Sequence, residues 1–131
     1  MNTKLIMTLS AIFMGIMGII FIIIPDIVLA QLKIEFNNTT ILMLQLMGAL
    51  YYGFAMLNWM TKSALIGGIF NRPIAVANFT HFFIAGISLL RGLRYASGFF
   101  NPVTIVTVIY VAFAICFALI LFRHPTEKSG K

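Results

Sequence analysis

Hydrophobic positions along this chain form four long blocks, separated by short stretches that contain polar residues, glycine or proline. Each block is close to the roughly 20 helical residues that cross a hydrocarbon core about 30 Å thick. No block contains Asp or Glu, and Lys and Arg occur only around the block ends. The pattern therefore predicts four transmembrane helices, at about residues 5–24, 40–60, 73–90 and 103–122.

The stretches between the blocks carry residues that end helices. The first contains Pro25 and Asp26, and the last contains Gly98 and Pro102. A backbone inside a bilayer must satisfy its own hydrogen bonds, and segments of this length do so only as helices. We therefore predict an all-α, polytopic membrane protein in which a single domain, residues 1–131, forms a four-transmembrane-helix bundle.

Composition agrees with a membrane location. The chain is 61% hydrophobic and 9% charged, with a mean hydropathy of +1.03, which is far outside the range of soluble domains. Lys4, the apolar run and the small residue Ala30 also resemble a cleaved signal peptide, but the apolar core of such a peptide spans only about 7–15 residues. Residues 5–24 are therefore predicted to remain as the first transmembrane helix.

The distribution of Lys and Arg predicts an orientation, because cytoplasmic loops of membrane proteins carry an excess of both. Four spans place both termini on one side, and the formal net charge of +6 is unevenly divided between the two sides. Both termini are predicted to be cytoplasmic, and the basic residues favour anionic headgroups of the lipid bilayer as partners, with no nucleic acid. The cytoplasmic side would carry Lys4, Lys62, Arg72, Arg123, Lys128 and Lys131, and the other side Lys33, Arg91 and Arg94.

Two connecting stretches are compatible with more than one conformation. Residues 25–38 mix apolar with charged positions and predict a short amphipathic turn or helix along the membrane interface, with Asp26 ending the first helix. Residues 64–70 contain Gly67 and Gly68, and they could prolong the second helix, enter the interface or form a half-helix. Asn71 is a candidate cap for the third helix, with Pro73 in its first turn.

Small residues predict the packing face of the first helix. Close approach of small side chains, rather than a hydrophobic driving force, favours helix association in lipid. The first helix has a stripe of such residues, which we expect to meet another helix, and the second helix carries a mixed stripe that adjoins Gln45 and Tyr52. These stripes are Thr8, Ala11, Gly15 and Gly18 on the first helix, and Gly48, Tyr51, Ala55 and Asn58 on the second.

Polar residues inside the second and third helices form the candidate site. Stepping by three and four residues from Asn71 places polar and small side chains on one face of the third helix, which we expect to meet protein or a cavity. That face contains Asn71, Ile74, Asn78, His81, Ala85, Ser88 and Gly92, and the opposite one carries Val76, Phe79, Phe83, Ile87 and Leu90 for lipid. Together with the second helix it would gather Gln45, Tyr52, Asn58, Asn78 and His81, with Arg72 at the membrane edge to hold a headgroup.

This set of side chains argues against several kinds of chemistry. A proton-coupled cation exporter normally needs an acidic residue at membrane depth, and the predicted spans contain none. One His and the lone Cys116 are too few for a metal site, and Ser88 with His81 lacks the acid of a hydrolytic triad. We predict no catalytic residue and no metal site, and the protein is more simply explained as a non-enzyme.

The remaining hypotheses concern apolar ligands and partners. A quinone or lipid could be oriented by a few hydrogen bonds between helices, or the same side chains could only tie the helices together. A different hypothesis is an oligomeric channel or facilitator for a small solute, lined by Asn78, His81 and Ser88. A membrane-embedded enzyme that acts on a lipid-like substrate is the third. Partners would be the bilayer and either further copies of the chain or a membrane complex.

Three stretches have a distinctive layout and glycine placement: "GIMGIIFIIIPDIV", "LMGALYYGFAMLNW" and "LIGGIFNRPIAVANFTHFFIAG". In these features the sequence resembles the small four-helix DoxX-like membrane proteins of bacteria. It implies a location in the bacterial cytoplasmic (inner) membrane and an association with quinone-linked redox complexes, which favours a bound quinone or lipid rather than a tightly held cofactor. The chain has no paired cysteine and no acidic residue within its spans, so the resemblance assigns no catalytic residue.

Overall fold

The computed structural model describes residues 2–64, 71–93 and 101–122, and within these ranges it contains helices and no strand. The predicted all-α fold is thus confirmed. Four helices are long and apolar enough to cross a membrane, and the fifth is a short helix in the first connection. Residues 65–70, which include most of the ambiguous stretch, lie outside the described residues. The helices are α1 (Thr3–Ile23), α2 (Pro25–Gln31), α3 (Asn38–Thr61), α4 (Arg72–Gly92) and α5 (Pro102–Phe122).

The helix ends follow from short polar signals. The side chain of Asn2 accepts a hydrogen bond from the backbone N–H of Leu5 at the start of α1. Asn37 and Thr40 form a reciprocal capping box at the start of α3, with the Thr40 N–H donating to Asn37 Oδ1 at 2.9 Å. Asn71 occupies the N-cap position of α4, as predicted, but its side chain makes no capping hydrogen bond.

Contacts between Cα atoms divide the chain into two compact units, Asn2–Ser63 and the part of the chain from Ala64 onward. In the unit Asn2–Ser63, α1 and α3 pack antiparallel, since contacts move backward along α3 as they move forward along α1. A methyl group on Gly18 would lie 2.9 Å from the carbonyl oxygen of Gly48, and one on Gly15 would lie 3.6 Å from Ala55 Cβ. The stripe predicted on the first helix is therefore where α1 packs, and the structure shows that its partner is the face of α3 that contains Gly48 and Ala55.

The short helix α2 closes one end of this unit. Its residue Leu29 is buried in a cluster with Phe21 of α1 and Leu44 of α3. The helix ends at Gln31; two residues later Lys33 has a φ of 56°, and the Ile34 N–H donates to the carbonyl of Leu29 at 3.0 Å. These features form a Schellman motif with lysine at the position that usually carries glycine.

The second unit contains α4 and α5, which also pack antiparallel: Phe79 contacts Phe122, while Gly86 lies beside Tyr110. Its core is aromatic. Phe82 is fully buried, and its ring stacks on Phe113 and Phe117 with centroid distances of 4.8 and 5.7 Å. The stacked rings fix the facing sides of the two helices.

Candidate functional site

The six candidate residues from the sequence belong to two helices. Gln45, Tyr52 and Asn58 lie on α3, in the first unit, and Arg72, Asn78 and His81 lie on α4, in the second. Within each unit, the described hydrogen bonds join candidate residues to neighbouring helices or to their own helix.

Asn58 makes the clearest polar contact in the first unit. It is fully buried, and its side-chain N–H donates to Ser10 Oγ of α1 at 3.1 Å. The Ser10 hydroxyl in turn donates to the carbonyl of Met7 at 3.0 Å. Polar side chains that link membrane helices in this way stabilise their packing. This geometry supports a structural role for Asn58.

The other two α3 candidates are less enclosed. Gln45 donates from Nε2 to the backbone carbonyl of Ile22 at 3.5 Å, near the end of α1. Tyr52 is 46% exposed, whereas the neighbouring Tyr51 is half-buried against Phe21, with a centroid distance of 5.3 Å. Because Tyr52 is exposed and Gln45 lies beside the end of α1, these two side chains do not form an enclosed polar cavity within the first unit.

Polar residues of α4 have separate environments. Asn78 is fully buried and donates from Nδ2 to the carbonyl of Ile74, one turn earlier, at 3.0 Å. Arg72 is exposed at the start of the helix. Ser88 is also exposed, and its hydroxyl donates to the carbonyl of Ile84. The hydroxyl of Ser88 is therefore satisfied by its own helix.

His81 pairs with a residue that the sequence analysis did not select. Its Nε2 lies 3.4 Å from the hydroxyl of Tyr110 on α5, and the two rings are 5.7 Å apart. Tyr110 is almost completely buried, with 1% of its surface exposed. A tyrosine in the middle of an apolar helix needs a hydrogen-bond partner, and that signal could have identified it beside His81. Ser10, in the first half of α1, is a second buried polar residue that lies outside the predicted site.

The buried face of α4 is rotated relative to the predicted polar face. Asn78 is shared by both, but Ser88 and Gly92 of the predicted face are exposed. Burial of Phe82 explains the rotation, because its ring packs among the aromatic side chains of α5 and turns the adjacent His81 to the margin. The buried positions of α4 are Ala75, Asn78, Phe82 and Gly86.

An apolar groove runs along α4 and α5. Its volume is about 350 Å³, within the range of ligand pockets, and every residue that lines it is apolar. Gly86 lies in the groove wall, and a methyl group there would still be 3.8 Å from Tyr110 Cβ. We call this feature the α4–α5 groove; its lining is Phe79, Phe82, Phe83, Gly86, Ile87 and Leu90 of α4, and Val111, Ala114, Ile115 and Ala118 of α5.

Phe82 lies between the α4–α5 groove and the hydrogen-bonded side chains of His81 and Tyr110. Its ring lines the groove, and its centroid lies 5.2 Å from the rings of both His81 and Tyr110. The imidazole and hydroxyl thus lie next to the apolar wall without forming part of it. Such a groove can hold a hydrocarbon chain, but its lining side chains offer no hydrogen bond to a polar ring.

Side chains that could bind a metal ion are not clustered in the part of the chain that the structure describes. Residues 2–64, 71–93 and 101–122 contain no group of three or more His, Cys, Asp or Glu side chains that could hold a metal ion. Cys116 is half-buried on α5 as a free thiol.

Comparisons with known proteins leave the family open. No protein-family model, curated protein or solved structure matches this chain. The resemblance to DoxX-like proteins therefore stays a prediction. The four long apolar helices fit a small multi-pass membrane protein.

Proposed function

We propose that this chain is a non-catalytic membrane protein that binds a hydrocarbon chain in the α4–α5 groove, as a binding protein or as a subunit of a membrane complex. The groove itself is the observation that carries the proposal. Its apolar lining suits the acyl chain of a lipid or the isoprenoid tail of a quinone, and these two sources share the same chemistry.

The shape of the groove supports a ligand that enters from the bilayer. Four of its side chains are substantially exposed, while Phe82 and Ala114 are buried beneath them. Both helices are of spanning length, so a ligand would enter sideways from the lipid phase. Lateral entry needs no water-filled path, and a quinone headgroup would lie beyond the apolar lining. The exposed side chains are Phe83, Ile87, Leu90 and Ile115.

We propose further that the protein lies in the bacterial cytoplasmic membrane with both termini in the cytoplasm. The antiparallel packing of α1 and α3 places Lys4 and Lys62 at one end of that unit and Lys33 at the other. This distribution supports the orientation favoured by the positive-inside rule.

Two matched substitutions on α5 test the groove. Ala118→Leu would fill the groove, whereas Ala112→Leu places the same side chain at an exposed position outside it. The protein would be reconstituted in nanodiscs with a phospholipid or an isoprenoid quinone that carries a photoreactive group on its hydrocarbon chain. We expect labelled peptides from α4 and α5, and we expect Ala118→Leu to reduce this labelling about tenfold, equivalent to 1.4 kcal/mol, while Ala112→Leu leaves it unchanged.

Competition with unlabelled ligand identifies whether the bound hydrocarbon chain comes from a quinone or a phospholipid. An excess of unlabelled quinone that removes the label would identify the isoprenoid tail, and removal only by phospholipid would identify a lipid. Labelling that is spread evenly over α1, α3, α4 and α5, with no loss in Ala118→Leu, would contradict the proposal.

A further inference from the structure

The connection between α1 and α3, residues 24–37, carries large apolar side chains on its surface. Phe36 is 62% exposed and Ile27 is 59% exposed. Between positions 31 and 37 the sequence alternates strictly, with apolar residues at 32, 34 and 36 and polar residues at 31, 33, 35 and 37. The connection therefore has both an apolar and a polar set of side chains, and the exposed apolar set is Ile27, Leu32, Ile34 and Phe36.

The position of the connection follows from the two helices that it joins. Both α1 and α3 are of spanning length and pack antiparallel, so the connection lies at one end of both. Leu29 fixes α2 against these helix ends, because it is buried with Phe21 and Leu44. The capping box of Asn37 and Thr40 fixes where α3 begins.

The backbone of the connection limits its depth. Residues 34–37 are outside any helix, and irregular backbone exposed to lipid does not occur in the hydrocarbon region. Exposure of four large apolar side chains to water is also unfavourable. The level of the lipid headgroups meets both conditions, because the backbone there is hydrated while apolar side chains reach the acyl boundary.

We propose that residues 25–37 form an interfacial element that inserts Ile27, Ile34 and Phe36 among the lipids of one leaflet. The segment carries Asp26, Lys33 and Glu35, for a net charge of −1 from one positive and two negative groups, so anionic lipid does not attract it. Apolar insertion is the driving interaction, and the partner is a zwitterionic phospholipid surface. This inference concerns a different part of the chain from the α4–α5 groove and does not depend on it.

Cysteine reactivity tests the alternation of side chains. In a Cys116→Ser background, Phe36→Cys and Glu35→Cys place thiols at adjacent positions of the exposed connection, and a membrane-impermeant maleimide is added to phosphatidylcholine proteoliposomes. Both variants share the same mixture of orientations, so their rates compare directly. We expect Glu35→Cys to react about tenfold faster than Phe36→Cys, because interfacial apolar faces are buried about 5–10 Å into the boundary between headgroups and acyl chains. Equal rates would overturn the proposal.

A fluorescence measurement identifies lipid as the covering partner. Trp59 is the single tryptophan, so Trp59→Phe combined with Phe36→Trp gives one reporter in the connection. We expect emission at short wavelength and at least about twofold quenching by lipids brominated near the headgroup end of the acyl chain, as for other interfacial side chains. If Phe36→Cys is protected but Phe36→Trp is not quenched by brominated lipid, another copy of the chain covers the segment and the proposal is wrong.

Discussion

The side-chain amide of Asn58 donates a hydrogen bond to Ser10 Oγ at 3.1 Å, and both side chains are fully buried. This contact joins the first half of α1 to the last turns of α3. It lies on the same face as the close approach of Gly18 and Gly48, so a polar link and a small-residue contact act along one helix pair. Such a combination is how helices associate where lipid removes the hydrophobic driving force.

Removal of the hydrogen bond should weaken this pair modestly. Asn58→Ala and Ser10→Ala should each lower the free energy of unfolding, and a double-mutant cycle should give a coupling energy of about 0.6 kcal/mol, the average for hydrogen bonds between membrane helices. Equilibrium unfolding in mixed micelles with a denaturing detergent would measure it. The cycle isolates the Ser10 contact from the other interactions of Asn58. A coupling energy of zero would show that the two side chains act independently.

Adding a methyl group at Gly48 should destabilise the α1–α3 pair more than loss of the Asn58–Ser10 hydrogen bond does. A methyl group there would lie 2.8 Å from Ile22 Cγ1 and 2.9 Å from the Gly18 carbonyl oxygen, so the helices would have to separate. Gly48→Ala should therefore lower the free energy of unfolding by about 1–3 kcal/mol. Gly53→Ala is the control on the same helix, since a methyl group there meets nothing within 4 Å, and it should raise stability by up to about 1 kcal/mol through helix propensity. Similar losses from both variants would argue against close packing at Gly48.

Tyr110 should stabilise the second unit mainly through its ring. Tyr110→Phe removes the hydroxyl beside His81 and should lower the free energy of unfolding by about 0.5–1.5 kcal/mol. Tyr110→Ala also removes the contact with Phe82 and should lower it by about 3–5 kcal/mol, because a buried aromatic side chain leaves a cavity. The same unfolding assay would compare them. Equal losses in the two variants would instead make the hydroxyl the dominant contribution.

Replacement of Lys33 by glycine should raise the stability of the fold. Its φ of 56° is a left-handed conformation, which is unfavourable by about 1–2 kcal/mol for residues with a Cβ atom. Lys33→Gly should therefore raise the free energy of unfolding by about 1 kcal/mol. Lys33→Ala is the matched control, because it also removes the charge but keeps the Cβ atom, and it should give no gain. If alanine stabilised as much as glycine, loss of the lysine charge would be the cause.

The proposed orientation can be measured in cells. A green fluorescent protein fused after Lys131 should be fluorescent, and alkaline phosphatase fused there should be inactive, because the C-terminus is proposed to face the cytoplasm. Alkaline phosphatase fused after Asn37, in the first connection, should be active. Active phosphatase at Lys131 would reverse the orientation.

Much of the fold follows directly from the order of the residues. Long apolar blocks predict membrane helices because an unsatisfied backbone is costly in lipid, and the four predicted spans agree closely with α1, α3, α4 and α5. The stripe through Gly15 and Gly18 identified the packing face of α1, since only small residues allow such an approach. Prolines were also informative for helix ends, since Pro25 directly follows the C-cap residue of α1 and Pro73 lies in the first turn of α4.

The candidate site depended on information that periodicity does not contain. Spacing along α4 grouped Asn78 with Ser88, but the aromatic side chains of α5 turn Phe82 inward and leave Ser88 exposed. The partners Ser10 and Tyr110 belong to other helices, and no spacing within α3 or α4 could identify them.

The sequence by itself thus determined the number of long apolar helices, their membrane character and the small-residue face of α1. Only the tertiary structure decided which buried polar groups pair and where the α4–α5 groove lies. The physical reason is that backbone hydrogen bonding and apolar burial in a membrane helix are local, whereas helix rotation depends on the shapes of the side chains on the facing helix.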